Sequence, residues 1–155
     1  QMTYYENRPE ETAHAYRGGW FHSGDLGEYD DEGFFYYRGR KKESMRRRGV
    51  NISAWEIESV LINHPEVLEV AAHAIPSELG EDEVKVVVRP VDGSSLTAEG
   101  VVAYCEGRMA GHAVPRYVEF MAEIPKTATQ RPQYAVLKER GLGPGTWDRD
   151  AQHQS

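Results

Sequence analysis

The stretch from Val67 to Val91, VLEVAAHAIPSELGEDEVKVVVRPV, decides the fold class of this 155-residue chain. It contains two runs rich in β-branched and small apolar residues, Val67–Ile75 and Glu83–Val91, which are separated by proline, glycine and acidic residues. β-Branched residues favour strands, whereas glycine, proline and aspartate mark the turns between them. The stretch therefore predicts two consecutive strands that are joined by a loop at residues 76–82.

A helix is predicted immediately before this pair of strands. Ser53 followed three residues later by Glu56 has the form of a capping box, and an apolar face continues up to His64-Pro65. Proline after an apolar, helix-periodic segment is a stop signal. We therefore expect a helix over residues 54–63.

The chain after the strands predicts two further helices and one short strand. Thr97 is a suitable N-cap for a helix that continues to about Met109. A strand is expected at residues 117–121. Pro132 suits the first position of a last helix, which should end at Arg140.

The two ends of the chain have less regular patterns. Residues 143–155 have little apolar content and are predicted to be a disordered tail. At the other end, residues 1–18 open without a capping or turn signal, and the apolar pieces Trp20–Phe21 and Phe34–Tyr37 predict a β-hairpin across a turn-rich segment. Because helices and strands alternate irregularly and without a repeat, the class is α+β with a short mixed or antiparallel sheet flanked by helices.

Composition limits the function classes. The formal net charge of −7 argues against a general nucleic-acid binder, and no signal peptide or membrane-spanning run is visible. The single cysteine, Cys105, and the six histidines show no metal-ligand spacing, so we expect no protein metal site and a reducing, cytoplasmic setting. The range Arg38–Arg48, however, carries 7 of the 18 basic residues and could contact a polyanion.

The first segment with a recognisable motif is Gly19–Gly27, GWFHSGDLG. It resembles the G-W-x-x-T-G-D-x-G motif of the adenylate-forming superfamily, which includes acyl-CoA synthetases, luciferases and peptide-synthetase adenylation domains. The resemblance implies that Asp25 binds the ribose hydroxyls of ATP, because a carboxylate can accept hydrogen bonds from both hydroxyls of a diol.

The second segment runs from Gly39 to Glu58 and is similar to the hinge of the same superfamily and the loop that follows it. The resemblance implies that Arg40 contacts the ribose or phosphate, that Lys42 is the hinge of a mobile lid domain, and that Gly49 lines the pantetheine tunnel. The run RRRGVN resembles carnitine-CoA ligases in particular, and it implies that CoA phosphates are bound by one or more of Arg46, Arg47 and Arg48.

Two further segments complete the resemblance. The segment from His64 to Val84 is similar to structural motifs of the family, and Ile124–Arg131, IPKTATQR, resembles its P-K-T-x-T-G-K motif. The lysine of that motif contacts the acyl carboxylate and the α-phosphate. Here Gln130 replaces the glycine and Arg131 replaces the lysine, so the resemblance assigns the catalytic role to Arg131.

Taken together, the motifs imply a lid fragment of an AMP-forming acid–CoA ligase that uses ATP, Mg²⁺ and CoA and is inactive alone. Residues 1–40 would be a remnant of the large AMP-binding domain and residues 41–142 the lid. The remainder of the large domain, which would precede residue 1, is the expected partner, with a small carboxylic acid as substrate and self-association possible through residues 1–40. Two alternatives stay open: an adenylation domain that loads a carrier protein, and an interaction or nucleic-acid-binding module that uses Arg38–Arg48.

Overall fold

The computed structural model describes residues 4–77 and 80–151. These residues form an α+β fold, as the sequence predicts. The elements are, in chain order, α1 (Pro9–Ala15), β1 (Tyr16–Arg17), β2 (Trp20–Phe21), β3 (Asp25–Tyr29), β4 (Phe35–Arg40), a 3₁₀ helix (Lys41–Glu43), β5 (Ser44–Arg47), β6 (Val50–Ser53), α2 (Ala54–Leu61), β7 (Val67–Pro76), β8 (Asp82–Pro90), α3 (Ala98–Cys105), β9 (Tyr117–Phe120), α4 (Tyr134–Arg140) and β10 (Thr146–Asp148).

A mixed four-stranded sheet with the order β10-β9-β8-β7 is the centre of the fold. Strands β7 and β8 are antiparallel, β8 and β9 are parallel, and β9 and β10 are antiparallel. Val84, Val86 and Val88 lie in the larger core cluster, whereas Val87 lies in the smaller one with Ile124 and Leu137. The continuous apolar run in β8 is explained by this covering of both faces of the sheet.

Helix α2 packs on the sheet through Ala54, Ile57 and Leu61, which are buried. The predicted capping box is wrong, because the Ser53 side chain makes no capping hydrogen bond, and its Oγ is buried with no hydrogen-bond partner among the described residues. Ser53 is the last residue of β6 and packs against Gly39, where a Cβ atom would lie 2.1 Å from its Oγ. The close packing of this serine takes precedence over capping, and the helix ends two residues earlier than predicted.

Helix α3 begins as predicted and ends early. The Thr97 hydroxyl oxygen accepts a hydrogen bond from Gly100 N, which confirms the N-cap. The helix ends at Cys105 because Glu106 is extended and Gly107 has a φ of +75°. The predicted end at Met109 is therefore wrong by four residues.

The C-terminal part corrects two predictions. Helix α4 begins at Tyr134 and not at Pro132, because Pro132 pairs with Lys126 in an antiparallel bridge. The predicted disordered tail is wrong for residues 146–148, which form β10 on the edge of β9; residues 152–155 lie outside the described residues. Pairing with an existing strand orders this segment despite its low apolar content.

The pairing predicted near the N-terminus is also wrong. Trp20–Phe21 pairs with Tyr16–Arg17, not with Phe34–Tyr37. Strand β4 pairs instead with β3, across the turn that contains Gly33. Gly18 and Gly19, both with positive φ, form a two-residue turn of the kind that favours hairpins, and it pairs Trp20 with Arg17.

No helix within residues 4–77 and 80–151 is long and apolar enough to cross a membrane.

Candidate functional site

An open cleft of about 510 Å³ lies between the β3–β4 hairpin, α2 and the loop before α4. Three of the residues singled out in the sequence, Asp25, Arg40 and Arg131, line this cleft together. They come from segments that are far apart in the chain. The fold therefore places a carboxylate and two guanidinium groups around one space, which suits a ligand with hydroxyl and phosphate groups.

Asp25 and Arg40 are direct neighbours because they lie opposite each other in the β3–β4 register. Their side chains form an ion pair, with Arg40 Nε 3.1 Å from Asp25 Oδ1, and are 43% and 32% exposed. A pair this exposed contributes about 1 kcal/mol or less to stability. Breaking this ion pair so that both groups can bind a ligand therefore costs little free energy.

Arg131 lies in a tight loop that is closed by the bridge between Lys126 and Pro132. Thr127 N donates to Arg131 O at 2.8 Å, and Arg131 N donates to Thr127 Oγ1 at 3.2 Å. Gln130 has a φ of +62°, the left-handed region that favours glycine. The backbone at this position therefore has the conformation for which the family motif uses glycine, and the Arg131 side chain is exposed on the loop.

Glu58 forms part of the cleft wall, and the sequence reasoning did not assign it a role. Its Oε1 accepts hydrogen bonds from Ala72 N and from the Tyr134 hydroxyl, both at 2.8 Å. Burial raises the pKa of Glu58, and the negative charge of Glu43 adds to the rise, whereas the two hydrogen bonds partly oppose it. The signal in the sequence was a carboxylate four positions after Ala54 and three before Leu61, which is the spacing of the buried face of α2.

The Glu58–Tyr134 hydrogen bond connects α2 to the start of α4. Since Tyr134 lies three positions after Arg131, this contact limits how far the Arg131 loop can move relative to α2. The ion pair between Lys126 Nζ and Glu69 Oε1, at 2.8 Å, holds the other end of the loop on the sheet. The loop is therefore fixed at both ends.

Lys42 is the middle residue of the 3₁₀ helix between β4 and β5 and has an exposed side chain. Its carbonyl oxygen accepts a hydrogen bond from Lys138 Nζ at 3.4 Å. The preceding residue, Lys41, is bound to the residue just before β3, because Lys41 N donates to Gly24 O at 2.8 Å. Lys42 thus lies at the connection between the β3–β4 hairpin and the rest of the fold, which is where a hinge would be required.

Gly49 lies elsewhere, at the tip of the β5–β6 hairpin. Arg48 and Gly49 are the two turn residues, with φ values of +52° and +76°. Positive φ at both positions is the geometry of the tight turns that suit β-hairpins. Gly49 is not among the residues that line the cleft with Arg131.

The three consecutive arginines before Gly49 have different environments. Arg47 is 3% exposed; its Nη1 donates to Val114 O at 2.9 Å and to His112 O at 3.0 Å, and its Nη2 pairs with Glu83 at 2.8 Å. Burial lowers the pKa of Arg47, although Glu83 opposes this. Both Nη atoms of Arg47 are thus held inside the fold, whereas Arg46 and Arg48 are exposed. A contact between CoA phosphates and one or more of these arginines stays a prediction, which Arg46 and Arg48 fit better than Arg47.

The same contacts weaken the alternative of a continuous cationic surface over Arg38–Arg48. Arg38 pairs with Glu28, Arg40 pairs with Asp25, and Arg47 is buried.

Across the two described ranges, no group of three or more His, Cys, Asp or Glu side chains could hold a metal ion.

Comparisons with known proteins agree on one family. Residues 56–131 match the family described as AMP-binding enzyme C-terminal domain. A crotonobetaine/carnitine–CoA ligase of Proteus mirabilis is 40% identical over 126 residues, which are 81% of this chain and 24% of the relative. A probable CoA ligase of Humulus lupulus is 36% identical over 138 residues, which are 89% of this chain and 26% of the relative.

The fold is similar to solved structures of adenylating enzymes. An anthranilate CoA ligase in complex with anthranoyl-AMP superposes with a TM-score of 0.81 and 27% identity, over 90% of this chain and 28% of the other. An o-succinylbenzoate CoA synthetase of Bacillus subtilis, in complex with its acyl-adenylate, superposes with a TM-score of 0.81 and 28% identity, over 88% of this chain and 28% of the other. The chain spans about a quarter of the length of the curated relatives that it matches.

Proposed function

Because residues 56–131 belong to the AMP-binding enzyme C-terminal domain family, we propose that this chain is the lid region of an ATP-dependent ligase that joins a carboxylic acid to CoA. The reaction has two steps. The carboxylate first attacks the α-phosphate of ATP to give acyl-adenylate and pyrophosphate. The CoA thiol then attacks the acyl carbon, AMP leaves, and acyl-CoA is formed.

The observation that carries the proposal is the cleft shared by Asp25, Arg40 and Arg131. In the first step Asp25 accepts hydrogen bonds from the ribose hydroxyls, and Arg40 contacts the ribose or a phosphate. Arg131 offsets the negative charge that develops on the carboxylate and α-phosphate oxygens in the transition state. The fixed loop that carries Arg131 reduces the reorganisation needed to place its guanidinium.

The second step uses another part of the same fold. Rotation about Lys42 removes the Arg131 loop from the reacting atoms and brings in the Gly49 turn, where the thin pantetheine arm passes. Arg46 and Arg48, which are exposed next to this turn, are the proposed contacts of the CoA phosphates. We leave Arg47 out of the proposed set because its guanidinium is buried and paired with Glu83.

Both steps require groups beyond those of this chain. We propose that the large AMP-binding domain of the same protein supplies the phosphate and acyl sites, and that Mg²⁺ enters with ATP. The surface that meets this domain includes the aromatic side chains of residues 16–37, of which Trp20 is 77% exposed and Tyr29 is 74% exposed. Burial of this patch against the large domain would account for its many aromatic side chains.

The test is the replacement of Arg131 by alanine in the full-length ligase, with pyrophosphate release and thioester formation measured separately. Loss of one charged transition-state donor should lower acyl-adenylate formation by about a hundredfold. Thioester formation from supplied acyl-adenylate should change little. Arg131→Lys, which restores the residue of the family motif, should retain activity, and Arg108→Ala is the matched control because Arg108 is exposed and does not line the cleft.

Unchanged pyrophosphate release in Arg131→Ala would remove Arg131 from the site. The 155-residue chain alone should release no AMP, and Mg²⁺-dependent AMP release by it would contradict the lid assignment. Comparison of free CoA with a phosphopantetheinylated carrier protein as acceptor tests the thiol specificity, and transfer to the carrier alone would overturn the CoA assignment.

A further inference from the structure

The tip of the β5–β6 hairpin is bound by a carboxylate that the roles above do not include. Glu81 Oε2 accepts a hydrogen bond from Arg48 N at 2.7 Å, and Glu81 Oε1 accepts one from Gly49 N at 3.0 Å. Both oxygens of one side chain thus bind the two consecutive backbone N–H groups of the turn. Hydrogen bonds from N–H groups to an ionised carboxylate are about twice as strong as those between neutral groups.

Glu81 is the first of three consecutive acidic residues that contact this hairpin. Asp82 Oδ2 accepts from Arg46 N at 2.9 Å, and Glu83 Oε2 pairs with Arg47 Nη2 at 2.8 Å. The contacts of Asp82 and Glu83 hold strand β5 on the domain. The contact of Glu81 is different because it acts on the turn itself.

Packing does not determine the conformation of the turn. Apart from Gly49 and its two chain neighbours, no described residue has a heavy atom within 4 Å of the position that a Cβ atom would take on Gly49. In addition, Arg48 has a φ of +52°, a left-handed conformation that is unfavourable for a non-glycine residue. The two hydrogen bonds to Glu81 offset this cost and orient the Arg48–Gly49 peptide.

We propose that Glu81 is a positioning residue for the thioester-forming step, an inference that rests on the proposed function. Its carboxylate holds the Gly49 turn in the conformation that leaves a passage for the pantetheine arm. The acyl-adenylate step uses the Arg131 loop, which is fixed by Glu58 and Lys126 and not by Glu81. Loss of Glu81 should therefore affect one half-reaction and leave the other unchanged.

The experiment compares Glu81→Ala and Glu81→Gln in the full-length ligase. In Glu81→Ala, thioester formation from preformed acyl-adenylate should fall about tenfold at subsaturating CoA, the scale of one lost hydrogen bond to a charged group. Pyrophosphate release should remain at the wild-type rate. Glu81→Gln retains one acceptor oxygen and should recover part of the loss.

Glu123→Ala is the matched control, because Glu123 is an exposed carboxylate on the loop after β9 and should leave both steps unchanged. Equal decreases of both steps in Glu81→Ala would indicate a general structural role and overturn the proposal, as would no decrease in either. Wild-type enzyme that forms acyl-adenylate but no acyl-CoA would instead refute the proposed function.

Amide hydrogen exchange tests the geometry without any turnover. In the 155-residue chain, the peptide that covers residues 44–53 should exchange faster in Glu81→Ala than in wild type or Glu123→Ala. Unchanged exchange in this peptide would mean that Glu81 does not hold the turn, and the proposal would be wrong whatever reaction the ligase performs.

Discussion

Replacement of Glu119 by glutamine should strongly destabilise the 155-residue chain. Glu119 is 2% exposed and pairs with Lys85, which is 0% exposed, at 2.5 Å. Its other oxygen accepts from Arg140 Nε at 3.0 Å, and Lys85 Nζ also donates to Gly141 O at 2.5 Å. This network attaches the end of α4 to β8 and β9.

The magnitude follows from the charge that remains after the substitution. Glutamine retains an acceptor oxygen but carries no charge, so the fully buried ammonium of Lys85 would lose its counter-charge. Removal of one member of a buried ion pair costs about 3–5 kcal/mol, against a total stability of about 5–15 kcal/mol for a typical domain. Lys85→Met should cost less, because Glu119 would still be paired with Arg140, which is partly exposed to solvent.

Urea unfolding followed by circular dichroism measures these free energies. The double variant Lys85→Met/Glu119→Leu should be more stable than Glu119→Gln alone, since it removes both buried charges. A loss of less than about 1 kcal/mol in Glu119→Gln would show that the pair is not desolvated as the structure describes it. A double variant no more stable than the single one would refute the argument from the unpaired charge.

The pH dependence gives an independent check. Burial would raise the pKa of Glu119, but the hydrogen bonds and charges of Lys85 and Arg140 outweigh burial and hold it below its ordinary value of 4.5. Its stabilising contribution is therefore complete above pH 4.5 and is lost as pH falls through the lower folded pKa. The stability difference between wild type and Glu119→Gln should accordingly shrink as pH falls below 4.5. Both proteins also lose stability as pH falls from 6.5 to 4, because burial lowers the pKa of His73 to about 4.

Two further predictions concern the loop and the hinge. Gln130→Gly should stabilise the chain by about 0.5–1 kcal/mol in urea unfolding, because relief of the positive φ outweighs the extra chain entropy of glycine. Gln130→Ala retains the Cβ atom and should give no gain in stability. Equal stabilities of the two variants would show that the backbone of Gln130 is not strained. In the full-length ligase, Lys42→Pro should retain acyl-adenylate formation and lose most thioester formation, because proline fixes φ at the proposed hinge. Lys42→Ala should leave both rates unchanged; equal loss of both steps in Lys42→Pro would indicate misfolding, and no loss would place the hinge elsewhere.

Several features could be predicted from the amino-acid sequence because they depend on neighbours in the chain. The two strands at residues 67–91 follow from a dense run of β-branched residues, and α2 follows from apolar periodicity with a proline stop. The motif around Asp25 identifies the family for a similar reason, since its glycines and carboxylate are close in sequence. The structure then confirmed the α+β class and brought Asp25, Arg40 and Arg131 to one cleft.

Other features depend on residues that meet only after folding. Strand β10 has little apolar content of its own and is ordered by the edge of β9. Arg47 stands between two exposed arginines with the same local chemistry, yet it alone is buried against the carbonyl oxygens of His112 and Val114. Glu81 reaches the Gly49 turn across more than thirty positions of sequence, and Tyr134 reaches Glu58 across more than seventy. Propensity and motif spacing act over a few residues. Burial and long-range hydrogen bonds, in contrast, depend on which distant segments the sheet brings together. Only the tertiary structure could therefore show which charges remain available to a ligand.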